Sequence, residues 1–311
     1  MTAEQAYEAA LRQRLADRAA LLLRGRDDVL ALLAQAQADI VAILAQQPSD
    51  YQRWQLGQVM AQIKTVLDAA TANAGAKLDA AVRAAWQQGE DFIDKPLEAA
   101  GLGIEAQMPL LDASLLASLR NFGIERMKDI SAEAAGQISR ELSLVTLGGK
   151  TPFEAIQAIT RVLQLPTVAR AQTIVRTAIS QTFALAQQQR GEQAAAVMAN
   201  SAVHKGYALE KQWRRSGKIH SRWNHDAIDG QRVALNEAFK LPTLAGVIDM
   251  LHPHDPSAPA EEVINCGCVA LPRVKGWAVA TPGARPFSDL ELARDARKAA
   301  LDQAAQKAGL R

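Results

Sequence analysis

Apolar positions in residues 1–147 recur at helical intervals. Leu11, Leu15 and Leu22 follow a Thr2/Gln5 pair that reads as a capping box. Asp27 or Asp28 is placed to cap a second helix, carrying Leu30, Leu33, Ile40 and Leu44 and ending at Pro48. Ser49-Asp50 starts a third. Trp54, Val59, Ile63, Val66 and Leu67 line one side of it, with no break before Trp86. Pro96, Gly101, Gly103 and Pro109 read as a connector. Further helices are expected around Leu115–Phe122 and Ile130–Leu144. The period-2 alternation of strands is missing from this half.

Gly148-Gly149 marks a turn, and Thr151-Pro152-Phe153-Glu154 has the cap, proline and acid of a helix start. That helix is expected to stop before Pro166, and another to run over 167–197 through Ile174, Ile179, Phe183 and Leu185. Its stretch Ala186-Gln187-Gln188-Gln189-Arg190-Gly191 is polar enough to predict exposure. Near Val203 alanine thins out. Tryptophan, histidine, glycine, proline and both cysteines gather between there and Val274. Val263-Ile264 and Val269-Ala270-Leu271 suggest short strands. Ser288 and Glu291 form a capping box for a last helix that stops at Gly309. The expected class is mainly α: an extended helical N-terminal region, a small α+β C-terminal module and a terminal helix. The divisions are 1–147 (helical region), 148–202 (helical hairpin or long connecting helix), 203–275 (α+β module) and 276–311 (linker and C-terminal helix).

Composition sharpens this picture. The 311 residues are 49% hydrophobic, which excludes wholesale disorder, yet only 5% aromatic. Alanine-rich helices bury little area each, so an apolar stripe of the slender helical part is a candidate docking face. Net charge is +2, so any nucleic-acid role has to come from local clustering. Both cysteines lie one residue apart, too close for an unstrained structural disulfide. The acidic start does not resemble a signal peptide, and no run reaches about 18 consecutive apolar residues. These features predict a soluble chain made in a reducing cytoplasm.

Candidate chemistry lies between Lys205 and Cys268. Cys266, Cys268 and His225, with His252 or His254, would supply four zinc ligands. Alternatively, the cysteines are small buried hydrophobes and His225 bonds a loop carbonyl. No other cofactor is indicated. From Lys205 to Arg232, seven basic residues face three acidic ones. Lys211, Arg214, Arg215, Lys218, Arg222 and Arg232, with Trp213 and Trp223, are therefore candidate DNA contacts; otherwise the tryptophans are core and the cations solvated. His225 with Asp229 or Glu262 could act as a general base, but no nucleophile or phosphate-cradling loop accompanies it. Asp229-Gly230 reads as a turn and Asn265 as a turn or cap residue.

The order of these signals resembles one family. Trp213 is followed by a polar turn and by Arg222 three residues before His225. Asp229-Gly230, Pro253-His254-Asp255-Pro256 and Asn265-Cys266-Gly267-Cys268 then follow. This spacing is similar to the C-terminal domain of the phage Mu protein F-like family, the minor head proteins of tailed phages. The segment Ala169–Thr177 resembles the helix ahead of that domain. Three positions depart from the pattern: Ala178 and Lys218 replace family carboxylates, and Gly267 replaces an arginine between the cysteines. The resemblance implies a structural virion protein at the portal vertex, made in the host cytoplasm and incorporated into the head without a membrane. Portal protein and other head proteins are the implied partners, with packaged DNA as a further one. The implied role is head morphogenesis and genome packaging or ejection, with no enzymatic activity. The alternatives are a plain DNA-binding module and a nuclease or transferase using His225 and Asp229.

Overall fold

The computed structural model describes residues 1–46, 55–147, 149–204 and 206–307, apart from the side chains at 55, 56, 152 and 165. The expected Pro48 stop, Ser49-Asp50 start, Trp54, Gly148, Lys205 and Gly309 lie outside the described residues. The protein is mainly α, and the described residues form four long helices, a small sheet module and short terminal helices.

The helices are longer and fewer than the sequence predicts. α1 spans Ala3–Ala45 without a break at Asp27-Asp28. Thr2 caps it: its Oγ1 accepts from Gln5 N (3.2 Å), and Gln5 Oε1 accepts from Thr2 N (3.0 Å). By length and composition α1 is also apolar enough to cross a membrane, but Ile40 and Leu44 near its end pack against other helices. α2 (Gln55–Ala99) continues through Pro96, so the connector begins only at Gly101, whose φ is +79°. α3 (Ala113–Thr146) joins the two expected segments and is capped by Asp112 accepting from Ser114 N. α4 (Pro152–Asn200) runs straight through Pro166. Proline has no N–H to give the carbonyl four residues back. Here the Thr167 hydroxyl donates to that carbonyl, Val162 O, at 2.9 Å, and the helix persists.

The chain forms two compact units. One comprises 18–85 and 112–179. Its core is built from i, i+4 pairs: Ile40 and Leu44, Val59–Ile63–Leu67, Ala134–Ile138–Leu142, and Ile159 and Leu163. Inside it Arg120 pairs with Asp79, and Ser131 Oγ donates to Asp68.

The other unit comprises 1–17, 86–111 and 180–311, a wider boundary than the 203–275 expected for the module. A sheet of order β2-β1-β5 is antiparallel throughout: β1 Leu209–Arg214, β2 Arg232–Ala234, β5 Val269–Val274. Lys211 faces Val233 on one side and Pro272 on the other. β3 (Phe239–Thr243) and β4 (Gly246–Met250) form a hairpin. Short helices α5 (Trp223–Ala227) and α6 (Ala260–Val263) flank the sheet, so Val263-Ile264 ends a helix instead of forming a strand. The module has its own core of Trp213, Ile228, Phe239, Leu241, Met250, Val263, Cys266, Cys268 and Ala270.

Helical segments enclose that module. The polar stretch of α4 is buried, not exposed: Ala186, Gln187, Gln188 and Arg190 are all within the core. Gln187 Nε2 donates to Ala270 O (2.6 Å), occupying a carbonyl on the outer edge of β5, and Gln188 Nε2 donates to Leu235 O. Arg190 forks onto Asp94. Tyr7 of α1 meets the Trp277 ring edge-on at 5.6 Å.

Residues 276–307 are no loose linker. Gln212 Nε2 donates to Pro282 O (2.8 Å), Arg214 Nη2 to Thr281 O (2.9 Å), and Arg285 N to Asp229 Oδ2 (2.6 Å). The final helix breaks at Asp295, giving α7 (Asp289–Arg294) and α8 (Ala296–Lys307). The Ser288/Glu291 capping box is present.

Candidate functional site

β1 brings the first element. Trp213 is completely buried, with its ring edge-on to Phe239 at 5.2 Å and to His225 at 5.3 Å. α5 then carries Asn224 and His225 inward, while Trp223 of the same helix is 44% exposed. The α6–β5 connection returns Cys266 and Cys268 beneath the same ring. Asn265 makes that return possible by adopting φ +57°, a left-handed conformation that asparagine tolerates. Gly267 is needed between the thiols, since a Cβ there would lie 2.8 Å from Ser216 Cβ and 3.2 Å from Lys218 Cε. An arginine at this position would collide with both.

His225 is the hub. Its Nε2 lies 2.9 Å from Glu262 Oε2, and its Nδ1 lies 3.5 Å from both Cys266 Sγ and Cys268 Sγ. Asn224 Nδ2 fixes Glu262 from the other side by donating to Oε1 at 2.9 Å. A carboxylate only accepts, so Nε2 carries the proton and the Nδ1 lone pair faces the two sulfurs. Among the described residues no loop carbonyl bonds this ring. The ligand atoms of His225, Cys266 and Cys268 all lie within 4.8 Å of one another, and all three residues are buried. The thiols share a hydrogen bond. As its acceptor, with help from the His254 charge and the His225 contact, Cys266 sits well below the ordinary thiol range despite burial. As the donor, in a buried setting, Cys268 is pushed well above it.

Two histidines were candidates for company. His252 turns its Nδ1 to Pro253 O (2.9 Å), and burial lowers its pKa. His254 is fully buried, its charge acts on Cys266, and its φ is +68°. Asp255 fixes the loop holding both, accepting from Leu251 N and from Ser257 N and Oγ.

The DNA-contact set needs correction. Lys211, Trp213, Arg214 and Arg215 are buried, with 0%, 0%, 7% and 2% exposure. Lys211 Nζ donates to Leu235 O (2.7 Å), Leu251 O (2.6 Å) and Gln188 Oε1 (3.2 Å). Desolvation brings its pKa down to about 8. Arg214 and the backbone N–H of Arg215 bond Asp229, and the Arg215 guanidinium bonds Glu291 and lies 4.5 Å from the Phe287 ring. The physical reason is that β1 is covered on both faces, so its cations are neutralised within the fold. Lys218, Arg222, Arg232 and Trp223 remain at least partly accessible. Lys218 reaches Asn265 O, Arg222 reaches Ile264 O (2.7 Å), and Arg232 pairs with Glu210.

Asp229 is likewise structural. Its oxygens accept from Arg214, Arg215 N and Arg285 N. The carboxylate beside His225 is Glu262, so a His225–Asp229 acid–base pair is not formed. Gly230 has φ +89°, and a Cβ there would lie 2.4 Å from Gly283 C, so glycine is required twice over.

Compared with family models, curated proteins and solved structures, the chain matches none.

Proposed function

We propose that this chain is a minor head protein of a tailed phage, bound at the portal vertex and taking part in head assembly and DNA packaging or ejection. One observation carries the reading. The residues that hold the resemblance to the phage Mu protein F-like family are scattered along the sequence, yet each has a defined place in one module. Trp213 covers His225, His225 meets Cys266 and Cys268, Arg222 holds the Ile264 carbonyl, and Asp229 ties β1 to the C-terminal segment. The pattern that carries the resemblance therefore falls within one folded module.

The same geometry favours a structural over an enzymatic role. His225 is 2% exposed and all its polar atoms face protein groups. Portal protein and other head proteins are the partners on this reading, and any contact with packaged DNA falls to Lys218, Arg222, Arg232 and Trp223. The test is co-expression of the full chain with the portal and coat proteins of its phage, followed by affinity capture of the portal. The expected result is capture of this chain with portal and procapsid. A chain that remains wholly free while portal rings and procapsids form would overturn the proposal.

A further inference from the structure

We infer that His225, Cys266 and Cys268 bind one structural zinc ion. The inference rests on site geometry and stands apart from the head-protein reading.

The spacing fits the ion. Tetrahedral zinc with Zn–S of about 2.3 Å and Zn–N of about 2.1 Å holds nitrogen and sulfur ligand atoms about 3.6 Å apart. His225 Nδ1 lies 3.5 Å from each sulfur. Two thiols and an imidazole are the donor set that suits zinc over magnesium or calcium.

Surrounding residues prepare the set. Glu262 holds the Nε2 proton of His225, which commits Nδ1 to the ligand side, as in a carboxylate–histidine–zinc arrangement. Asn224 in turn orients Glu262. Trp213, Val263 and Ala270 form a dry wall around the sulfurs. Asn265, directly before Cys266, is one of two non-glycine residues with positive φ among those described. Such conformations persist where surrounding structure demands them.

A structural role follows from the burial. His225, Cys266 and Cys268 are all shielded from solvent. The ion would fasten α5 to the α6–β5 connection, in a module with only a small apolar core.

The experiment uses the full chain, purified without chelator. Zinc is measured by plasma mass spectrometry, and the chain is also titrated with cobalt(II) after acid removal of metal and refolding under reducing conditions. The expected results are about one zinc per chain and a thiolate-to-cobalt charge-transfer band that zinc abolishes. Glu262→Gln, which keeps the side-chain shape, is expected to weaken zinc affinity about 10- to 100-fold while the chain stays folded. A folded chain that retains no zinc and gives no cobalt–thiolate band overturns the site. So does intact mass showing a Cys266–Cys268 disulfide in chain purified under reducing conditions.

Discussion

Glu291→Gln probes whether the buried cations of β1 serve the fold or a partner. Glu291 is 2% exposed and accepts hydrogen bonds from Arg215, from Lys298 Nζ at 2.7 Å, and from Ser288 N at 3.0 Å. Lys298 itself is fully buried. The amide keeps the volume but removes the charge, leaving two cations in the interior facing a neutral group. Breaking a buried ion pair from one side costs about 3–5 kcal/mol, a large share of a folding free energy of about 5–15 kcal/mol. Urea denaturation at pH 7, followed by tryptophan fluorescence, measures it. With a slope of about 1–3 kcal/mol per molar, the midpoint falls by about 1 M or more. The pH dependence supplies a second check. Burial alone would raise the Glu291 pKa, but the hydrogen bonds from Arg215, Lys298 and Ser288 prevail and hold it well below its ordinary 4.5. A depressed carboxylate pKa stabilises the fold above the unfolded value and loses that effect as pH falls. The gap between parent and variant is therefore constant above pH 4.5 and narrows by about 1.4 kcal/mol per pH unit below it. A gap under about 0.5 kcal/mol at pH 7, or one unchanged at low pH, would refute the reasoning.

Other perturbations test other parts of the account. Gly89→Ala places a Cβ 2.6 Å from Phe183 O, so it should destabilise by about 1–3 kcal/mol. Gly136→Ala, with open space around it, should stabilise by up to about 1 kcal/mol; the opposite signs are read in one set of melting curves. Thr167→Val removes the donor to Val162 O and should cost about 1–2 kcal/mol, with a smaller cost in a Pro166→Ala background, as a double-mutant cycle would show. Lys211, desolvated to a pKa of about 8, should make stability rise with pH from 8 towards 10, by about 2 kcal/mol, because the unfolded chain still holds the proton there. Above that the buried Tyr7 hydroxyl, whose pKa is raised by desolvation, reverses the trend. Lys211→Met should lack the rise in denaturation curves taken across this range.

The helical nature of 3–45, 55–99, 113–146 and 152–200 is legible because i, i+4 apolar spacing survives without any knowledge of partners, and the three capping boxes at Thr2, Thr151 and Ser288 all form. Helix ends are less so. Asp27-Asp28 and Pro166 look like boundaries, but tertiary packing and one threonine hydroxyl carry the helix past them. The ligand-type residues His225, Cys266 and Cys268 are also visible in sequence, since few other roles concentrate them. The carboxylate beside His225 is legible only as a choice between Asp229 and Glu262, and the fold selects Glu262. The cations of β1 mislead most. Lys211, Arg214 and Arg215 read as a surface patch until the chain returns Leu251, Asp229 and Glu291 to them. A sequence counts charges, and only the fold supplies their counter-groups. Gln187 and Gln188 follow the same logic, as polar residues whose carbonyl partners lie far along the chain.

The most direct test of the central claim is to purify mature heads and count this chain by quantitative mass spectrometry against portal and coat proteins. The account predicts a small, fixed number of copies per head, lost from heads assembled without portal. Heads that are complete, infectious and devoid of this chain would contradict it.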